Sequence, residues 1–582
     1  MTNPHLLGSI YERSLSKAIA LADRRERGIY YTPERIVTYI VEKTIGKLIA
    51  GKSPEQVAEM RFADIACGAG AFLLGVYDLL LRHHAAYYNE KKNRAKALKA
   101  GCLECEDGSL RLSIKQKKHI LLNNIYGVDL DAQAVEVAKL SLLLKLLEEE
   151  TAATAKNHLL DKNIVHGNSL MGMNIFADRF DEAMKRGGFD VIVGNPPYSA
   201  SLKANEVAYL LSEYSLQQYQ LDTYLLFVER ALTLLKLGGM LGYIIPNTWL
   251  LNLQSPKIRR HLFSNTKLEE IVHYKKPIFT QATVDTEVVI IGNTNPEDDH
   301  QVRISIVEKD GSEISYSAPQ KRWRDVDGKP VNILVRPEMD ALVDKLDALP
   351  TLNDLCVITQ GCKPFQVGKG KPPQTRKTVD EKPFVADTRR DSSFRPLLRG
   401  SLIQKYLITW NNDYWISFGE WLAEPRYSAS YDAPAKIVVR QTGDSLVATI
   451  DVDRFIVRDN LYTIIPKNDE IDLFFVLGLL NSKLLNWYYQ NVLNPEKGEA
   501  LAQVKRGHLA RLPIANREDG KLVNLVRQML EAKRQLSASR TDRDKALYES
   551  KRVALDREID TLIYKLYSLT RDEIDLVERR KL

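Results

Sequence analysis

The sequence predicts an α/β protein built on a doubly wound, mostly parallel sheet, followed by an α+β domain and a helical tail. Three observations predict it. Over about 28–295, apolar runs of strand length alternate with longer stretches at helical spacing, the pattern of βαβ units. From about 296 to 510 the alternation gives way to irregular sequence with mixed β runs and loops rich in Gly, Pro, Lys and Arg. From about 519 the chain is charged, and 520–569 is patterned like an antiparallel helical hairpin.

In the first stretch, strands are predicted at 61–65, 124–128, 163–166, 189–193, 240–246, 269–273 and 286–292, with helices such as 131–148 and 224–237 between them. Ligands in such sheets bind beyond the carboxyl ends of the strands. Further β runs lie at 435–440, 446–451 and 461–466. At 582 residues the chain exceeds a single core. The pattern changes predict domains at 1–325, 326–515 and 516–582.

Charged residues are 27% and hydrophobic residues 44% of the chain, ordinary values for a globular protein. The net charge of +7 is mildly basic and compatible with a nucleic-acid partner. The five cysteines are sparse and odd in number, which argues for a reducing compartment rather than a disulfide framework. Cys102 and Cys105 form a CxxC that no second CxxC or paired His motif completes, so no metal site is expected. The N-terminus lacks a basic region followed by an apolar run, and no stretch is apolar over the ~18 residues of a membrane span. A cytoplasmic protein, bacterial or archaeal, is expected.

Three constellations carry chemistry. Asp64-Ile65-Ala66-Cys67-Gly68-Ala69-Gly70 follows a predicted strand and opens a helix. Glycine there allows close backbone approach, and the helix N-terminus contributes a positive dipole end. A plain tight turn or a dinucleotide site fits the same pattern. One strand later, Asp129-Leu130-Asp131 puts a carboxylate where both hydroxyls of a ribose can be accepted, with Asp131 expected to cap the next helix. The third is Gly194-Asn195-Pro196-Pro197-Tyr198 at the end of an apolar strand. Two prolines hold Asn195 and the following carbonyl rigid. Two oriented acceptors suit a planar amine that becomes tetrahedral as its nitrogen reacts, and Tyr198 offers a flat face to a base.

In these motifs the chain resembles a γ-class adenine-specific DNA methyltransferase of the TaqI-like kind. The resemblance implies a Rossmann-like, class I methyltransferase sheet and S-adenosylmethionine as cofactor. Tyr31 and Thr32, within Gly28–Pro33, resemble the segment that closes over the methionine part of the cofactor. Asp64, Ala66, Cys67, Gly68 and Gly70 resemble the cofactor loop, Asp129 the ribose acid and Leu130 its adenine-packing neighbour. Phe227 resembles the aromatic flanking the cofactor adenine, and Phe279 the one stacking on the far face of the target base. Where the family usually has an acid before Ser-Leu, this chain reads Asn168-Ser169-Leu170. Asn168 still offers a carbonyl oxygen, at a cost of about 1 kcal/mol for a lost charge-assisted bond.

The resemblance extends to a target-recognition domain. Lys363, Lys369, Lys371 and Arg376 fall in a segment without acids between 363 and 377, suited to phosphate contact. Arg440 and Gln441 are candidates for reading base edges. Double-stranded DNA is the implied substrate, its target adenine flipped out between Tyr198 and Phe279 while Asn195 and Pro196 accept the amine hydrogens. A methyltransferase acting on protein glutamine or RNA, cytosine N-4 methylation, and a specificity subunit without activity are the competing readings. No convincing nuclease metal site lies ahead of Gly28, so the chain is expected to act alone or beside a separate restriction endonuclease.

Overall fold

A computed structural model of the chain describes residues 32–148, 159–171, 174–198, 202–217, 221–252, 254–279, 285–468, 471–494 and 503–578. The chain divides into two compact units, Met1–Val331 and Asn332–Leu582. No helix among the described residues is long and apolar enough to cross a membrane.

The first unit is organised by nine strands: β1 (Phe62–Asp64), β2 (Ile125–Asp129), β3 (Ile164–His166), β4 (Phe189–Gly194), β5 (Leu235–Pro246), β6 (Lys267–Tyr274), β7 (Thr286–Gly292), β8 (Gln301–Val307) and β9 (Glu313–Pro319). They form one sheet in the order β9-β8-β6-β7-β5-β4-β1-β2-β3. The five strands from β3 to β5 run parallel, and β7 lies antiparallel between β5 and β6. The sheet is therefore doubly wound and mixed. Connections leave β1 in one direction and β4 in the other, so the topological switch, where such sheets bind ligands, lies between these two strands.

All seven strands expected from sequence are present, each within a few residues. Two strands were missed, β8 and β9, inside the stretch read as irregular. Their signal was there: β8 buries Val302, Ile304 and Ile306 at period two, and Asp310-Gly311 makes the turn, with Gly311 at φ +90°. The helix expected at 224–237 ends at Leu234, because residues 235–237 already belong to β5. The β4–β5 ladder shifts register between its Phe189–Leu235 and Val191–Met240 pairs.

The faces of the sheet are covered by helices that include α1 (Glu34–Val41), α2 (Ala71–Asn89), α3 (Ala132–Leu146) and α4 (Thr223–Leu234). Gly70 stands at the N-cap of α2 with φ +87°, and a Cβ there would lie 3.0 Å from that of Ala138 on α3. Glycine is needed there for both conformation and space.

The second unit contains β10 (Cys356–Gln360), β11 (Val385–Ala386), β12 (Phe394–Leu398), β13 (Trp415–Ser417), β14 (Lys436–Arg440), β15 (Ala448–Asp451), β16 (Ile456–Val457) and β17 (Leu461–Pro466). Two four-stranded sheets result, ordered β10-β17-β14-β15 and β11-β13-β12-β16. Helices α5 (Leu473–Asn481), α6 (Gly520–Ala538) and α7 (Asp542–Leu566) follow. The expected hairpin of helices is α6 and α7. Leu522, Val526 and Met529 of α6 and Ile559 and Ile563 of α7 share one core with Ile437, Val439 and Ile464 of the first of these sheets.

Candidate active site

Strand β1 ends in Asp64, and the chain turns through Gly68 (φ +49°) and Gly70 into α2. Asp64 is buried; its Oδ1 accepts the Ala66 N–H at 3.0 Å. That oxygen lies 2.7 Å from where a Cβ on Gly194 would sit, and the ring of Tyr243 lies 3.3 Å from the same point. Gly194 is thus required by the carboxylate beside it. Burial, and then the charge of Asp64, push the Tyr243 hydroxyl well above its ordinary range.

The turn is tied to the neighbouring strand from two sides. The Cys67 N–H donates to the Val128 carbonyl at 3.0 Å, and Cys67 itself is buried. Asp129 at the end of β2 accepts the Gly68 N–H through Oδ2 at 2.7 Å and the Asp131 N–H through Oδ1 at 2.9 Å. Burial raises the Asp129 carboxyl in spite of these two donors. Asp131 caps α3, accepting the Gln133 and Ala134 amides. Leu130 between them is 68% exposed, an apolar side chain largely open to solvent.

After β3, Asn168 Oδ1 accepts the amides of Leu170 and Met171 at 3.0 and 3.1 Å. Ser169 is buried, and its Oγ donates to the Ile65 carbonyl at 2.6 Å, joining this turn to the one after β1. Two residues that sequence reasoning missed hold it from behind: Arg230 Nε donates to the Ser169 carbonyl at 3.1 Å, and the Tyr214 hydroxyl to that of Leu170 at 2.9 Å. Both are more than 40 positions away in sequence, so no local motif announces them.

Asn195 follows β4 and is half-buried. Its Nδ2 donates to Thr32 Oγ1 at 3.0 Å. Pro196 is buried and Pro197 half-buried. Tyr198 and Phe279 meet edge to face, with ring centroids 6.1 Å apart and planes at 71°. A base held between parallel rings needs about 7–8 Å, twice an ordinary carbon contact, so the pair must part to admit one. Phe227 is buried on α4. Tyr31 lies outside the described residues.

In the second unit the basic segment is held by hydrogen bonds to its own backbone and to the Trp421 carbonyl. Buried Gln374 clasps it, donating to the Pro364 and Trp421 carbonyls and accepting the Gln366 N–H. The carboxylates absent from the segment come from outside it: Lys371 stands 3.8 Å from Glu420, and Arg376 lies 3.3 Å from Asp380 in the short helix Arg376–Glu381. Lys363 Nζ donates to Gln366, and Lys369 is exposed. Arg440 ends β14, its Nε donating to the Thr442 carbonyl at 2.9 Å. The Gln441 N–H donates to the Asn460 carbonyl at 3.0 Å.

Residues 123–279 match the Eco57I restriction-modification methylase family, and residues 395–514 match the TaqI-like C-terminal specificity domain. The chain joins an Eco57I-type methylase domain to a TaqI-like specificity domain. It is 31% identical over 320 residues to the type II restriction enzyme and methyltransferase RM.Eco57I of Escherichia coli, covering 50% of this chain and 31% of that protein. It is 22% identical over 754 residues to RM.MjaORFECS2P of Methanocaldococcus jannaschii, covering 97% of this chain and 60% of the relative. The chain thus spans less than two thirds of the length of either. The fold of the type IIL restriction-modification enzyme MmeI, solved in complex with DNA, aligns with a TM-score of 0.62 at 15% identity, covering 99% of this chain and 81% of that one.

The methylase domain offers a fitting site for S-adenosylmethionine. Asp129 at the end of β2 suits a ribose diol, and the exposed Leu130 beside it suits the face of an adenine.

Proposed function

We propose that this chain is a site-specific DNA methyltransferase that transfers a methyl group from S-adenosylmethionine to N-6 of a flipped-out adenine in duplex DNA, within a restriction-modification system. The observation that carries it is Asn195 at the carboxyl end of β4, its amide hydrogen-bonded to Thr32, followed two prolines later by Tyr198 against Phe279.

In this reading, Asp64, Ala66, Cys67, Gly68, Gly70, Asp129, Leu130, Asn168, Ser169 and Phe227, with Thr32 and Tyr31, hold the cofactor. Bound there, it supplies an electrophilic methyl group. The Asn195 Oδ1 and the Pro196 carbonyl accept the two hydrogens of the target amine and draw its nitrogen out of conjugation with the ring. Tyr198 and Phe279 part and close on the two faces of the base. Catalysis is then a matter of position and of acceptors set in advance. Residues 1–325 carry the chemistry, and residues 326–515, with Lys363, Lys369, Lys371, Arg376, Arg440 and Gln441, engage the DNA. Such a role belongs in the cytoplasm of a bacterium or archaeon and calls for a cognate restriction endonuclease as partner.

Methylation-sensitive long-read sequencing of DNA from cells expressing the chain tests the reading. N-6-methyladenine in one fixed motif is expected; an unmodified genome with the protein present sinks it. Asn195→Ala should lower transfer by at least about 100-fold, the scale on which one preorganised acceptor acts. Its affinity for S-adenosylmethionine, measured by calorimetry, should stay within about threefold, since one neutral contact contributes little net binding. Near-normal transfer by the variant would refute the role given to Asn195.

A further inference from the structure

Arginine in the specificity domain is gathered at a place that the basic segment does not include. The Arg399 guanidinium lies over the Tyr414 ring at 5.0 Å. Arg458 Nη1 donates to the hydroxyl of the same tyrosine at 3.2 Å. Next to Arg399, the Gly400 N–H donates to Asn460 Oδ1 at 3.2 Å, and the Asn460 carbonyl accepts the Gln441 N–H at 3.0 Å. A Cβ on Gly400 would lie 3.5 Å from Arg440 Cγ. Arg399, Tyr414, Arg458, Asn460 and Arg440 are therefore one continuous group, contributed by the end of β14, the turns after β12 and before β13, and the connection between β16 and β17.

The charge of this group is held ready and largely unspent. Arg399 is exposed and has no carboxylate partner among the described residues. Arg440 has none either; its Nε is spent on the Thr442 carbonyl, which leaves the Nη1–Nη2 end for an outside acceptor. Gly443, at φ +122°, keeps that end clear, for a Cβ there would sit 3.3 Å from Arg440 Nη2. The carboxylates close by are Asp459, 3.8 Å from Arg458 Nε, and Asp444, which is bonded by the hydroxyl of Ser445. A guanidinium stacked on a ring keeps its hydrogen-bonding edges while losing little freedom when it binds.

We propose that Arg399 and Arg440 form a DNA-reading edge on the Tyr414 platform, Arg440 addressing a guanine edge in the major groove and Arg399 a backbone phosphate. Arg458 is a positioning residue that acts through the Tyr414 hydroxyl. The inference rests on duplex DNA being the substrate; it adds Arg399, with Tyr414 and Arg458 behind it, to the Arg440 already placed at the DNA, and gives each arginine its own contact. Bidentate Arg–guanine contact discriminates bases; a phosphate contact adds affinity and salt dependence without discrimination.

The test uses the full chain, a labelled duplex carrying the motif found by sequencing, and binding isotherms by fluorescence anisotropy at several salt concentrations. Arg399→Ala should weaken binding to all duplexes alike and reduce the slope of log affinity against log salt by about 1, while Arg399→Lys restores the slope. Arg440→Ala should lose roughly 10- to 100-fold on the cognate duplex and relax the methylated motif at one G·C pair. Arg440→Lys should lose the discrimination while keeping the salt slope. Wild-type affinity, slope and motif in all four variants would overturn the proposal. Melting curves identify a misfolded alanine variant, and the lysine variants then decide by the same readouts. If the wild-type chain neither binds nor methylates DNA, the broader function fails instead.

Discussion

Asp129 shows how one residue serves the fold and the site together. Each of its oxygens takes a backbone N–H, one from the turn after β1 and one from its own, so the carboxylate shapes the loop before any ligand arrives. Asparagine in its place is nearly the same size but sets an amide donor against one of those N–H groups. A buried donor left unsatisfied costs about 1–3 kcal/mol. Asp129→Asn should therefore lower the melting temperature and weaken S-adenosylmethionine binding, both readable from melts with and without the cofactor. An unchanged melt and an unchanged cofactor shift would refute this double role. Asp64, Gly68, Asp129 and Asn195 were legible because each stands at a strand end in a short motif. The roles of Arg230 and Tyr214 were not, because they act on backbone carbonyls across the fold. Asn168 was read from the family pattern as an acceptor toward the cofactor; its oxygen already receives two amides of its own turn.

At the scale of elements, strands were legible wherever apolar runs were long. The hairpin of β8 and β9 was lost because its outer strand is mostly exposed and its alternation, Ile314, Tyr316 and Ala318 between serines, is short. Helix α2 carries a feature with a measurable consequence. His84 is buried within it, with Nδ1 2.7 Å from the Leu80 carbonyl one turn back. Burial, the dominant influence, depresses its pKa from 6.5 to about 4, reinforced by the nearby His83. The folded chain then keeps His84 neutral where the unfolded chain takes up a proton. Stability tied to this residue is intact above pH 6.5 and is lost as the pH falls toward 4, by up to about 2–3 kcal/mol. The raised Asp129 works in the opposite sense, since its folded form protonates first on acidification. Comparing wild type with His84→Asn isolates the histidine: melting temperatures should fall more steeply for wild type between pH 6.5 and 4.5. Parallel curves would show that His84 is not the group responsible.

At the scale of the whole molecule, the point that sequence pattern could not supply is which elements share a core. The charged tail reads as a hairpin that stands alone, because its exposed faces dominate the composition. In the structure its buried stripe is shared: Leu522 and Val526 of α6 pack on α5, where a Cβ on Gly478 would lie 2.8 Å from Val526 Cγ2, and Ile559 and Ile563 of α7 join the same cluster as Ile437 and Ile464 of the sheet. Burial of one such aliphatic side chain stabilises by about 1.5–3 kcal/mol, and domains are only about 5–15 kcal/mol from unfolding. Losing the tail therefore removes more than the margin. A chain cut after residue 515 is expected to lose the cooperative melt of its second unit and with it specific DNA binding, while still binding S-adenosylmethionine through the first. The fragment 332–582, which keeps the whole core, is expected to melt cooperatively by itself. Calorimetric scans of both pieces beside the full chain check this, and a cooperative, DNA-binding second unit without 516–582 would show that the tail is an appendage after all.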